Sequence, residues 1–171
     1  MEQLFKEAMA RLTGVVTVIT TGKGDERCGL TATAVCSLSA DPPSIVACVN
    51  SSASAHDSII ANGYFGVNVL APDQAWVADR FAGIDGSQGL ARFDGSVWVQ
   101  QDGGAPLLEG ALVGLDCRIA QRLDGYSHSI LVGNIRSIIL NPKDENNTLL
   151  WRGRRYHQSN ELVREREKGA A

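Results

Sequence analysis

Residues 29–40, GLTATAVCSLSA, set the strongest limit on the fold. Leu30, Ala32, Ala34, Cys36 and Leu38 alternate with Thr31, Thr33, Val35, Ser37 and Ser39, and a period of two belongs to a β-strand rather than a helix. The pattern predicts one long strand, with one face apolar and the other largely hydroxylated. Around it, GVVTVITT (14–21) is β-branched and bounded by the turn GKGDE, and DPPS (41–44) breaks the chain before SIVACVN (44–50). YFGVNVL (64–70), VWVQQ (97–101), ALVGLDCRIAQRL (111–123), SILVGNIRSIIL (129–140) and TLLWRG (148–153) also read as strands joined by turns.

Helical spacing is confined to three places. Residues 2–12 put Leu4, Phe5, Met9 and Leu12 on one face and stop at Gly14. SASAHDSIIANG opens from a serine-rich turn, and APDQAWVADRFAG has Pro72 near its first turn and Gly83 as its stop. GIDGSQGLARFDGS reads as a loop. Strands and helices do not alternate as a parallel sheet requires. The expected fold is therefore mostly β: an antiparallel barrel with two or three peripheral helices. At 171 residues without repeats or linkers, one domain over 1–171 is expected.

A net charge of -3 gives no general reason to bind nucleic acid or an anionic membrane. The start of the chain carries Glu2, Lys6, Glu7 and Arg11 rather than a basic start and an apolar run, and no stretch approaches the roughly 18 apolar residues of a membrane span. A cytoplasmic location is expected. Cys28, Cys36, Cys48 and Cys117 form no C-x-x-C pair, so they are expected to be buried apolar thiols rather than metal ligands or disulfides.

Dinucleotide, P-loop, zinc-protease and nucleophile-elbow motifs are all missing. Three histidines far apart in sequence neither suggest nor exclude a hydrolytic triad. What remains is a surplus of small hydroxyls: Thr31, Thr33 and Ser37 on one strand, then Ser51, Ser52 and Ser54 ahead of a helix. Hydroxyls and free N–H groups at a helix start suit a phosphate. A solvated strand face with an N-cap serine accounts for the same residues. WRGRRYHQ (151–158) gathers Arg152, Arg154, Arg155, Tyr156 and His157, a set able to clamp a diphosphate and stack on a ring, or simply to be solvated.

Taken in order, AMARLTGVVTVITT, GLTATAVCSLSADPPS, YFGVNVL, RFAG, PLLEGALVGLDC, HSILVG and GRRYH resemble the flavin reductase family, and most of all the small reductase components of two-component aromatic monooxygenases such as the 4-hydroxyphenylacetate and chlorophenol enzymes. The likeness covers about residues 4–158 and leaves a charged tail, 159–171. It implies a split β-barrel, a homodimer, and NADH- or NADPH-dependent reduction of FAD or FMN, with NADH favoured. The reduced flavin would then diffuse to a separate monooxygenase component. No metal is expected, because neither the cysteines nor the histidines have metal-ligand spacing. Two alternatives share these motifs: the reductase partner of a pyrimidine-ring-opening oxygenase, and a non-catalytic flavin carrier or sensor.

The resemblance also implies a site. Thr31, Ala32, Thr33, Ala34 and Val35, continued by Ser37 and Leu38, match the segment along the isoalloxazine. Ser52, Ala53 and Ser54 match the phosphate loop, followed by Ser58 and Ile59. Phe81 and Gly83, with Ala82 between them, match the helix end that edges the pocket. Arg155, Tyr156 and His157 match a segment near the dinucleotide. His128 matches the nicotinamide-facing histidine of a Gly-x-His pattern in which this chain has Tyr126 in place of glycine. Asn68, at a nearby strand end, is expected either to satisfy buried backbone or to touch ligand.

Overall fold

The computed structural model describes residues 1–101, 104–141 and 147–160. Along it run α1 (Glu2–Ala10), β1 (Gly14–Val15), β2 (Thr17–Thr21), β3 (Cys28–Ala32), β4 (Val35–Ala40), β5 (Pro43–Asn50), α2 (His56–Asn62) and β6 (Tyr64–Val69). α3 (Ala75–Phe81), β7 (Trp98–Val99), β8 (Leu107–Leu108), β9 (Val113–Gly125), β10 (His128–Leu140), β11 (Leu149–Arg152) and β12 (Arg155–Gln158) complete the order. The tail from residue 161 onward lies outside the described residues.

Seven strands form one antiparallel sheet in the order β3-β2-β6-β9-β10-β5-β4. Its two edge strands are consecutive in sequence, separated only by Thr33 and Ala34, so the curled sheet brings its own ends together. Among the described residues no ladder joins β3 to β4. The barrel is therefore split along a seam.

The seam corrects the expected single strand over 29–40. Up to Ala32 the even-numbered residues face the barrel interior, with Leu30 buried and Cys28 and Ala32 packed against the core. After the kink at Thr33–Ala34 the parity reverses: Val35 packs inward, whereas Ala34, Cys36 and Leu38 are exposed. Period-two alternation persists on both sides of the bend while the buried face changes.

Strands β2 and β6 are covered on both sides, and all five residues of β2 are buried. Ile19, Ile45, Val49, Phe65, Val67 and Leu131 fill the barrel, and Ala55 and Ile59 from the α2 region plug one end. Outside it, Val18, Leu70, Val77, Phe81, Phe93 and Leu149 form a second core under α3. Full burial of each large side chain contributes about 1.5–3 kcal/mol. A Cβ on Gly133 would stand 2.6 Å from the Phe65 ring, so only glycine lets β10 pass over that side chain.

α3 ends as its sequence predicts. Gly83 takes φ 75, its N–H donates to the Arg80 carbonyl and that of Ile84 to the Asp79 carbonyl, which is the Schellman pattern. α1 folds with its apolar stripe but buries none of it, leaving Leu4 67% and Phe5 59% exposed. All four cysteines are free. Cys117 is buried as expected, Cys28 and Cys48 are half-buried, and Cys36 is exposed because of the parity change. Among the described residues no helix is long and apolar enough to cross a membrane.

Candidate functional site

At the seam lies a cavity of about 200 Å³. Thr31, Ala32 and Thr33 form one wall, Ala82 and Ile84 from the turn after α3 form another, and Trp151 and Tyr156 close it from the small β1-β11-β12 sheet. Trp151 and Tyr156 are direct cross-strand partners, with ring centroids 4.9 Å apart in an edge-to-face arrangement. The Tyr156 hydroxyl donates to Asp79 Oδ1 at 2.6 Å. Burial, and then the Asp79 carboxylate, push the phenol well above its usual range, so it stays a protonated donor.

The two threonines differ in what they have left to offer. Thr31 Oγ1 donates to the Ala78 carbonyl at 2.6 Å and so ties β3 to α3. Thr33 has no such commitment: among the described residues neither its hydroxyl, its N–H nor the N–H of Ala34 has a partner. These donors sit at the rim of a largely apolar slot.

A second group lies where β5 ends. The Ala34 carbonyl accepts from Cys48 N–H, so the seam stands two residues from Asn50. Asn50 Oδ1 accepts both the N–H (2.9 Å) and the hydroxyl (2.8 Å) of Ser52. The helix cap is Ala55, with no side-chain hydrogen bond, so neither Ser52 nor Ser54 is the N-cap serine that the sequence allowed. The N–H groups of Ser54 and Ala55 have no acceptor among the described residues, and of the two residues only Ser54 is exposed, Ala55 being fully buried.

His128 opens β10 directly opposite Asn50, and the Ser127 carbonyl accepts from Ser51 N–H. The ring of His128 is half-exposed and its Nδ1 lies 2.9 Å from Ser127 Oγ. His128 thus stands beside the serine loop and not among the residues lining the seam cavity. Tyr126 is fully exposed and holds φ 66. Its ring narrows nothing within this chain, and its main chain occupies the left-handed region that a glycine adopts freely.

The remaining expected residues scatter. Phe81 points into the second core against Phe93 and Trp98, while Gly83 only ends the helix. Ser58 lies beside Cys28, and Ile59 belongs to the barrel core. Ser37, Leu38, Ala34, Arg155 and His157 are exposed, and His157 Nε2 bonds the Arg152 carbonyl within its own hairpin. Asn68 is spent on scaffold, donating to the Val18 carbonyl and accepting from Leu108 N–H. Val16, Ile84 and Trp151 line the cavity without having been expected. The cross-strand register with Tyr156 was the one signal for Trp151.

His56 was also missed. Its buried ring joins Asp57 Oδ1 at 2.8 Å and Ser129 Oγ at 2.9 Å, an order of groups like that of a hydrolytic triad. Ser129 is only 2% exposed, so no substrate reaches it.

A flat apolar slot with unpaired donors on one edge fits a heteroaromatic ring with a polar rim, and the adjoining loop offers hydroxyls and N–H groups for an anionic tail. The fold and site define a split-barrel protein of the flavin-binding class. Residues 9–160 match the flavin reductase like domain, and the chain belongs to the flavin reductase family. Similar proteins include the NADH-dependent FMN reductase RutF of Stutzerimonas stutzeri, 39% identical over 90% of this chain and 86% of that protein. The reductase component of 4-hydroxyphenylacetate 3-monooxygenase from Salmonella typhimurium is 36% identical over 90% and 89%. The solved NADH:FAD oxidoreductase of Streptomyces globisporus superposes with a TM-score of 0.81 at 32% identity, covering 91% of this chain and 92% of that one. The chain is thus an oxidoreductase of the kind that works with flavin and nicotinamide cofactors.

Proposed function

We propose that this protein is an NADH-dependent reductase of FAD or FMN that supplies reduced flavin by diffusion to a separate oxygenase. One observation carries the reading: the seam unites the unpaired Thr33 donors with the Trp151–Tyr156 wall in a single slot. In this reading Thr31–Ala34 and Tyr156 hold the flavin ring, the N–H and hydroxyl of Ser54, joined by the Ser52 hydroxyl once it turns from Asn50, hold the phosphate, and His128 meets the nicotinamide. Bound flavin and nicotinamide supply hydride transfer between stacked rings. The protein's own task is to orient them and to keep donors at the ring edge. That demand agrees with a slot lacking a histidine or a carboxylate.

The test follows NADH absorbance with excess FAD or FMN. Many turnovers per subunit support the reductase, and one equivalent or none leaves only the carrier reading. A second assignment of the oxygenase partner, which the shared motifs leave open, is a pyrimidine-ring-opening enzyme. Flavin-linked activity with each class of oxygenase separates the two.

The working form in this proposal is a homodimer in the cytoplasm. Cys36 on β4 and Ala34 just before it share the outer sheet face with Cys48 and Ile130, Leu38 is exposed at the bulge that follows, and α1 leaves Leu4, Phe5 and Met9 uncovered. Apolar surface of this kind fits a second copy of the chain. Sedimentation at micromolar concentration reads the state directly, and a monomer there refutes it. Free thiols suit a reducing compartment.

A further inference from the structure

The serine loop leaves the sheet at Asn50 and returns to it through α2, and its two ends are tied differently. At the near end the ladder pairs Asn50 with His128, and Ser51 N–H donates to the Ser127 carbonyl. At the far end Ala55 and Ile59 pack into the barrel, and one polar side chain reaches back to the sheet. The His56 ring is 5% exposed and reaches Ser129 Oγ, 73 residues away in sequence, at 2.9 Å.

The tautomer follows from the partners. Asp57 Oδ1 is an acceptor 2.8 Å from Nδ1, so Nδ1 carries hydrogen, and Nε2 is left to pair with the Ser129 hydroxyl, which can donate or accept. Asp57 is itself almost fully exposed. It therefore orients the ring and adds little binding energy. The Ser129 hydroxyl is buried and has this one hydrogen bond among the described residues, which makes the link costly to break from one side alone.

We infer that His56 is a positioning residue. By anchoring the start of α2 to β10 it holds the N–H and hydroxyl of Ser54 in the arrangement that takes the flavin phosphate. The inference rests on the reading of this loop as the phosphate site.

FMN and riboflavin differ only in that phosphate, so the ratio of their dissociation constants isolates the loop. Both flavins are titrated against the wild type and against His56→Leu/Ser129→Ala, which removes both partners together and keeps the interior apolar. The double variant is expected to melt within about 4 °C of the wild type. Its FMN-over-riboflavin preference falls about tenfold, the weight of one hydrogen bond, with riboflavin affinity unchanged.

Ser129→Ala keeps every ring contact and is expected to show the same fall. His56→Gln, which retains a polar group at the position of Nε2, restores most of it. An unchanged preference in both the double variant and Ser129→Ala overturns the role of His56. No FMN preference in the wild type overturns instead the phosphate reading on which it rests. A merely structural histidine would move the melting temperature and leave the ratio alone.

Discussion

Tyr156 and Asp79 are 77 positions apart in sequence, yet the phenol donates to the carboxylate at 2.6 Å and fixes the aromatic wall of the seam cavity against α3. Asp79→Asn removes the charge. Burial still raises the phenol above its usual value near 10, but by less, and ultraviolet titration should show Tyr156 ionising at lower pH than in the wild type.

The same pair sets an alkaline limit. The folded-state value is raised, so the folded protein holds this proton more tightly than the unfolded chain does. Its contribution is complete below about pH 10 and is lost as pH rises further. Tyr156→Phe is expected to flatten the loss of stability above pH 10, measured as melting temperature against pH.

Thr31 and Thr33 give opposite phenotypes on the same substitution. Thr31→Val breaks the bond to the Ala78 carbonyl and should cost about 1 kcal/mol of stability. Thr33→Val spares the fold and is expected to weaken flavin binding about fivefold to tenfold. Calorimetry and flavin titration separate the two.

Tyr126 holds φ 66 in the two-residue turn between β9 and β10, where its ring is fully exposed. A non-glycine residue there carries about 1–2 kcal/mol of strain, partly offset because glycine loses more chain entropy. Tyr126→Gly should raise stability by roughly 0.5–1 kcal/mol in denaturant unfolding, with the KM for NADH unchanged.

His128→Ala should fold and bind flavin as the wild type does, while kcat/KM for NADH falls about tenfold or more, about 1.4 kcal/mol. Unchanged NADH kinetics would remove His128 from the nicotinamide site.

Much of the architecture was legible because burial writes a period into sequence. Most strands and all three helices were visible that way, as was the Gly83 stop, whereas β8 and β12 were not read as strands and 14–21 divides into β1 and β2 in different sheets. The kink at Thr33–Ala34 was not, since alternation continues through it while the buried face switches from Leu30 to Val35. Segments of the site could be named from the resemblance, but not which member of each segment turns toward the cavity: Ala82 does, and its neighbour Phe81 does not. His56 and Ser129 leave no local mark, because their partnership exists only after β10 is laid beside β5.

The seam has a consequence for release. β3 and β4 share no ladder bonds, and the aromatic wall belongs to the separate β1-β11-β12 sheet. Between the aromatic wall and α3 stands the Tyr156–Asp79 side-chain bond, and no β3–β4 ladder has to part for a ligand to leave. For a protein whose product must depart to be used, an unzipped edge makes exchange cheap and leaves the rigid strands to preserve the geometry for the next cycle.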